Sequence, residues 1–344
     1  MDFLILKPSS LGDVIHAFPA VSALVRAYPG ANIDWLIHPA FAELTAYLPA
    51  VRRNIFFERK KLGKISSFFP AFSQLRSEIR KKPYDAVIDL QGLTRSAAIG
   101  RMARSKVFAG SDSPREFPAA VFYNRKLHAP TGIHAVERNN AMIADFLQRD
   151  DLDFPFQMEP VSRFVGQADE ILRQTGVDGK PYAVIAPGAR WKTKQWPTSF
   201  FADVMNRIGE KHPDLCFLIA GSGSDSVMAA EILQLAKVPC YDLCGKTSLG
   251  ELVEVTRKAK LFFCNDSGPM HIAAALNIPV LTMFGPTSPV LTGPYSKKNC
   301  ILQPTLPCIS CMMRYCSTCE CHNAVNPEVA AESAESLLAT GVVP

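Results

Sequence analysis

Short apolar runs alternate along this chain with longer stretches of helical spacing, and that alternation restricts the fold more than any other feature of the sequence. Phe3–Leu6, Ile33–Ile37 and Ala86–Leu90 read as strands, and Val14–Ala27 carries the periodicity of one helix. Strands that are apolar throughout must be covered on both faces, so the pattern implies a parallel sheet with helices on either side. It then restarts. Tyr182–Ala186, Leu215–Ala220, Leu261–Cys264 and Val280–Phe284 are further strands, each followed by a turn signal. Between the halves, Asp150–Val161 is rich in Asp and Pro and reads as a linker.

A length of 344 residues, at roughly 100–200 residues per domain, fits two α/β domains. The boundaries are placed at 1–155 and 156–325, with a terminal segment at 326–344. Apolar residues make up 48% and charged residues 20%, which suits a packed core and excludes disorder. No apolar run approaches the ~18 residues that span a bilayer. Residues Met1–Lys7 are too short and too acidic for an export signal and read as the first strand, so a cytoplasmic protein is expected.

In open α/β sheets ligands bind where strands end and helices begin, and the polar motifs fall there. Lys7-Pro8-Ser9-Ser10-Leu11-Gly12-Asp13 follows the first strand. Its small residues permit a tight loop with exposed N–H groups, and Asp13 is either a helix cap or a general base. Asp89-Leu90-Gln91-Gly92-Leu93-Thr94-Arg95-Ser96 is either a ligand contact or a turn with a cap. Pro187-Gly188-Ala189-Arg190-Trp191-Lys192-Thr193-Lys194-Gln195-Trp196 places cations after a strand, where they can clamp a diphosphate or sit on a loop held by its tryptophans. Leu215–Ala220 runs into Gly221-Ser222-Gly223. Asn265-Asp266-Ser267-Gly268-Pro269-Met270-His271 opens a helix whose N–H groups suit an anion. Asp266 and Ser267 equally read as caps, and His271 as a core histidine. Gly285-Pro286-Thr287-Ser288-Pro289 is a further loop of this kind.

The net charge of +5 is too mild to name a partner. Arg52, Arg53, Arg59, Lys60, Lys61 and Lys64, and then Arg80, Lys81 and Lys82, form clusters that suit an anionic ligand or a solvated face. Ten cysteines in a chain without an export signal imply reduced thiols or a metal. Cys308, Cys311, Cys316, Cys319 and Cys321 are dense enough for a structural zinc or iron site, the alternative being unmetallated thiols.

Taken in order, K-P-S-S-L-G-D, D-L-Q-G-L, K-Q-W-P and N-D-S-G-P-M-H resemble glycosyltransferase family nine, the bacterial heptosyltransferases. Ser113-Pro114-Arg115-Glu116, Phe122-Tyr123 and His134-Ala135-Val136-Glu137-Arg138-Asn139 are similar to the branch that adds the first heptose, whereas the N-D-S-G form is more like a branch adding a later one. The resemblance implies a GT-B fold, with two Rossmann-like domains across a cleft and a C-terminal helix, Pro327–Leu338, packed back on the N-terminal domain. It implies inverting transfer of heptose from ADP-heptose to the Kdo of a lipid A precursor, with no cofactor required for catalysis. Asp13 and Lys194 would be catalytic. Ser10, Gly12, Gly188, Lys194, Gly221, Ser222, Asp266, Ser267, Gly268 and His271 would bind the donor. Arg59, Lys60, Lys61, Lys64, Gln91, Arg115 and Arg138 would bind the acceptor. Peripheral contact with the inner membrane is expected and nucleic acid is not. Rival readings are a later heptosyltransferase, a sugar-nucleotide 2-epimerase of the same fold, and a nucleic-acid binder using the cysteines as a zinc knuckle.

Overall fold

The computed structural model describes residues 1–341. The chain forms two compact units, Met1–Met158 and a second that begins at Glu159. The expected boundary at residue 155 falls just before this point, within the Asp- and Pro-rich stretch.

The first unit holds six parallel strands: β1 (Asp2–Leu6), β2 (Asn32–Ile37), β3 (Val51–Phe56), β4 (Pro83–Asp89), β5 (Arg104–Ser111) and β6 (Arg125–Leu127), in the order β3-β2-β1-β4-β5-β6. The second holds β7 (Tyr182–Ala186), β8 (Cys216–Ile219), β9 (Cys240–Asp242), β10 (Leu261–Asn265), β11 (Val280–Met283) and β12 (Asn299–Leu302), in the order β12-β11-β10-β7-β8-β9. The two orders are the same Rossmann winding, read from opposite edges. Each sheet is buried on both faces. In β1, Leu4 and Leu6 pack with Leu75 and Ile79 on one side, while Phe3 meets the rings of Tyr28 and Phe146 on the other.

The winding reverses between β1 and β4 in one sheet and between β7 and β10 in the other. Loops leaving those strands depart to opposite faces and open a crevice at their carboxyl ends. The motifs around Asp13 and Asp89 flank the first crevice, and those around Lys194 and Asp266 flank the second.

One expectation needs correction. The helix expected over Val14–Ala27 is two helices, Leu11–His16 and Phe18–Ala27. Pro19 has no N–H to bond back into the preceding turn, so the first helix ends and the second starts with proline in its first turn. The C-terminal helix, Pro327–Thr340, contributes to the core of the second unit. Ala330, Ala331, Ala334 and Leu337 meet Met205 and Ile208 of the Thr198–Lys211 helix and Leu281 of β11. Small alanines on one face allow close helix approach, and a bond from His212 Nε2 to Glu335 at 2.9 Å reinforces it.

Part of the basic patterning is also structural. Arg53 donates to the buried Asp34 carboxylate at 2.7 Å, and Lys82 pairs with Asp2 at 2.7 Å. Lys81 pairs with Glu78 at 2.7 Å, and Arg80 donates to the Met102 carbonyl at 3.1 Å. An arginine whose guanidinium is already shared with a carboxylate and the Tyr84 hydroxyl is poorly placed to recruit an anion. Among the described residues no helix is long and apolar enough to cross a membrane.

Candidate active site

In the first unit the site is built on the loop after β1. Ser10 caps the Leu11–His16 helix, and its N–H and hydroxyl both donate to Asp13 Oδ2, at 2.9 and 3.0 Å. Capping therefore uses one carboxylate oxygen. The other, Oδ1, accepts from Arg115 Nη2 at 2.6 Å. Burial alone would push the Asp13 carboxyl up. The charges of Arg115 and Lys7 and the Ser10 N–H outweigh it and hold the carboxyl far below its ordinary value. Lys7, at the end of β1, is itself buried and donates to the Leu90 carbonyl. Burial lowers its ammonium to about 8, with the Asp13 charge opposing.

Arg115 reaches Asp13 because two loops are zipped together. Glu116 N–H donates to the Gly92 carbonyl at 3.0 Å, and Glu116 Oε2 accepts from Thr94 N–H at 2.9 Å. Gly92 has φ +68°, and a Cβ there would lie 3.2 Å from the Arg115 nitrogen, so both conformation and space require glycine. Asp89 holds the other side of the loop. It accepts from the N–H groups of Gln91 and Gly92 and the hydroxyls of Ser96 and Tyr123. Fully buried and fully bonded, it is a structural acid.

Of the residues expected to bind acceptor, Arg59 and Gln91 line one pocket, together with Ser9 and Arg95. Arg138 donates to Ser111 and Ser113 of the segment that carries Arg115, so it braces that arginine. Lys60, Lys61 and Lys64 are exposed around the short Arg59–Leu62 helix, with Lys61 paired to Glu58 at 2.8 Å.

In the second unit Asn265, at the end of β10, ties down the loop after β7. Its side chain donates to the Pro187 carbonyl at 2.7 Å and accepts from Trp196 N–H at 3.1 Å. Between those points Lys194 pairs with Asp266 at 2.5 Å, on the carboxylate oxygen that also accepts from the Thr287 hydroxyl. Lys194 further lies 4.8 Å from the centre of the Trp191 ring. Ser267 caps the Gly268–Ala275 helix, and its buried hydroxyl has no hydrogen-bond partner. His271 is buried on that helix.

Gly188 and Gly221 both close around Asp225, whose carboxylate a Cβ at Gly188 would meet at 2.6 Å. Ser222 already spends its N–H and hydroxyl on Asp225, each at 2.7 Å. Gly12 is buried in the first helical turn of the first unit, beside Ser10 and Asp13.

The expected metal centre does not fit. All ten cysteines are free thiols, and among the described residues no three His, Cys, Asp or Glu side chains are arranged to hold an ion. Cys316 Sγ accepts the Cys319 N–H at 3.3 Å, and Cys321 Sγ lies beside Gly285. Burial, and then the charges of Cys319, Cys308 and Cys311, raise the Cys321 thiol.

Two doubly wound units, each with charged side chains at its switch point, define an enzyme of the GT-B architecture, and the comparisons give its family. The model of glycosyltransferase family 9 (heptosyltransferase) matches residues 72–322. Lipopolysaccharide heptosyltransferase 1 of Pseudomonas aeruginosa is 34% identical over 92% of this chain and 88% of its own length. The protein of that name from Escherichia coli K12 is 31% identical over 88% and 93%. Escherichia coli heptosyltransferase WaaC with ADP superimposes with a TM-score of 0.80 at 28% identity, covering 98% of this chain and 99% of that one. The chain belongs to glycosyltransferase family 9 and is a glycosyltransferase.

Lys7, Asn265 and Thr287 were not singled out from sequence. A lysine ending a buried strand was the available signal for the first. All three lie inside recognised motifs, and only the folded loops reveal their partners.

Arg115→Ala is expected to raise the titration midpoint of the Asp13 carboxyl, read by 13C NMR. Because the folded value is depressed, the pair stabilises the protein above the ordinary carboxylate value of 3.8. That contribution is lost as pH falls through the folded value. An unmoved midpoint would show that Arg115 does not hold Asp13 down.

Proposed function

We propose that this enzyme transfers L-glycero-D-manno-heptose from ADP-heptose to the Kdo of a lipid A–Kdo acceptor in lipopolysaccharide inner-core synthesis, with inversion at the anomeric carbon. One observation carries the reading. Lys194, Asp266 and Ser267 meet at the β7/β10 switch point, beside a helix N-terminus, in a chain whose relatives are named lipopolysaccharide heptosyltransferase 1. The likeness to WaaC bound to ADP-2-deoxy-2-fluoro heptose supports the same donor.

Asp13 is the general base. It takes the proton from the Kdo hydroxyl as that oxygen attacks the anomeric carbon and the bond to the ADP phosphate oxygen breaks. A carboxylate clamped by Arg115 is a weak base, since a base works best with its pKa near the operating pH. An acceptor bearing carboxylates and phosphates competes for Arg115, and as the guanidinium moves to the acceptor, Asp13 gains basicity. Arg59 and Gln91 line the pocket beside it, and Arg138 keeps the Arg115 segment in place.

The leaving diphosphate gathers negative charge. Lys194 exchanges Asp266 for it, and the Ser267 hydroxyl and the N–H groups of Ser267 and Gly268 donate to it, so the scheme needs no metal. His271, on the same helix, orients the donor. Gly12, Gly188, Gly221 and Ser222 shape the loops by which the donor enters. The epimerase reading lacks comparable support, because the epimerase likeness reaches only 10% identity and shows the fold alone.

The acceptor is a membrane lipid, and peripheral contact with the cytoplasmic face of the inner membrane follows from that reading. Phe69 is 76% exposed and Phe68 37%, on the Ile65–Arg80 helix beside exposed Lys60 and Lys64. Aromatic rings next to lysines suit an anionic interface.

Three outcomes are expected. Asp13→Asn loses nearly all release of ADP from ADP-heptose and Kdo–lipid A, while ADP binding by calorimetry persists. Full turnover in that variant removes the general base. Lys194→Ala lowers kcat about 10²–10³-fold, as for loss of one strong electrostatic donor; unchanged kinetics would assign that task elsewhere. Phe69→Ser reduces co-sedimentation with phosphatidylglycerol vesicles while turnover on a detergent-dispersed acceptor stays at the wild-type rate. Equal sedimentation of both proteins would argue against the membrane face.

A further inference from the structure

The cysteine-bearing segment after β12 holds no metal centre, yet it is bonded at several points to the loops that carry the donor site. Met312 N–H donates to the Pro286 carbonyl at 2.6 Å, and Ser310 N–H to the Gly285 carbonyl at 3.1 Å. The Ser310 hydroxyl donates to the carbonyl of Thr287 at 3.2 Å, the same residue whose hydroxyl bonds Asp266. Cys321 lies so close to Gly285 that a Cβ there would sit 2.9 Å from its sulfur. On the other loop, the Thr193 hydroxyl donates to the Met313 carbonyl at 2.9 Å. The Arg314 guanidinium stands 5.0 Å from the centre of the Trp191 ring, which Lys194 also contacts.

His322 makes a side-chain link to the same loop. Its Nε2 lies 2.6 Å from the Thr193 carbonyl oxygen, which can only accept, so the ring proton sits on Nε2. Its own carbonyl accepts from the Trp196 indole N–H at 2.9 Å. The Trp196 ring is part of the core, packed against Phe201 and Phe263, so it fixes the His322 backbone. The His322 ring then holds the short Lys192–Lys194 turn at the Thr193 carbonyl. Thr193 is buried, and Lys194 follows it directly. A lysine has a long, flexible stem and gains no direction from its own charge, so the place of its ammonium is set by where the turn is held.

We propose that His322 is a positioning residue for Lys194. Through the Thr193 carbonyl it holds the turn that aims the Lys194 ammonium at the Asp266 and Ser267 pocket, and the segment 310–322 is the brace that delivers it. This rests on Lys194 as the group that meets charge on the departing diphosphate.

The test is a double-mutant cycle on the full chain, with ADP-heptose and Kdo–lipid A as substrates. His322→Ala is expected to lower kcat about tenfold, the scale of one lost hydrogen bond, with the acceptor KM unchanged. His322→Gln, whose amide N–H can reach the same carbonyl, recovers most of that loss. In a Lys194→Ala background, His322→Ala has no further effect on kcat. Where the alanine variant does not fold, His322→Phe keeps a ring and removes the N–H, and the same pattern is expected. If His322→Ala costs as much in the Lys194→Ala background as alone, or if glutamine rescues no better than alanine, the histidine is a packing residue and the proposal fails. If Lys194→Ala itself leaves kcat intact, the reading of Lys194 falls first and takes the proposal with it.

Discussion

The reversal of winding direction within each parallel sheet is the constraint from which the rest of this protein follows. A parallel strand pair needs a crossover, and crossovers on one half of a sheet cover one face while those on the other half cover the opposite face. Where the halves meet, between β1 and β4 and between β7 and β10, two neighbouring loops part and leave polar backbone open. Both loops at each point must then be tied by side chains. Asp89 and Gly92 do this in the first unit, and Asn265 does it in the second, reaching Pro187 and Trp196 from one amide.

The charged groups at the two switch points are arranged alike. Asp13 is paired with Arg115 and Lys194 with Asp266, each at hydrogen-bond distance. Such pairs hold a charge in a partly buried place where an unpaired one would be costly. Under the proposed function substrates would act by exchange, an anionic acceptor competing for Arg115 and a diphosphate for Lys194. In that scheme the electrostatics that stabilise each group in the fold would also tie its chemistry to the arrival of the right ligand.

Several groups that resemble functional residues are structural for identifiable reasons. Asp89 is saturated by four donors, and Arg53 is shared between Asp34 and Tyr84. The segment that carries the last cysteines is hydrogen-bonded to the loops after β7 and β11. Composition could not separate these from Arg115 or Lys194, because a free charge and a satisfied one look the same along a chain.

What the sequence determined by itself is local. Apolar runs of strand length, the turns that end them, and the polar motifs just beyond are read from neighbours a few residues apart, and they suffice for two wound α/β units and for the positions of Asp13, Lys194 and Asp266. The break at Ala17 was also local, written in Pro19, though the periodicity of the flanking residues hid it. Only tertiary structure decided the pairings: Arg115 with Asp13, Thr287 with Asp266, His322 with Thr193, and the C-terminal helix with the second core. These contacts join residues far apart in the chain. Their partners are chosen by sheet order and by the space each glycine leaves, and neither quantity is encoded in any short window of residues.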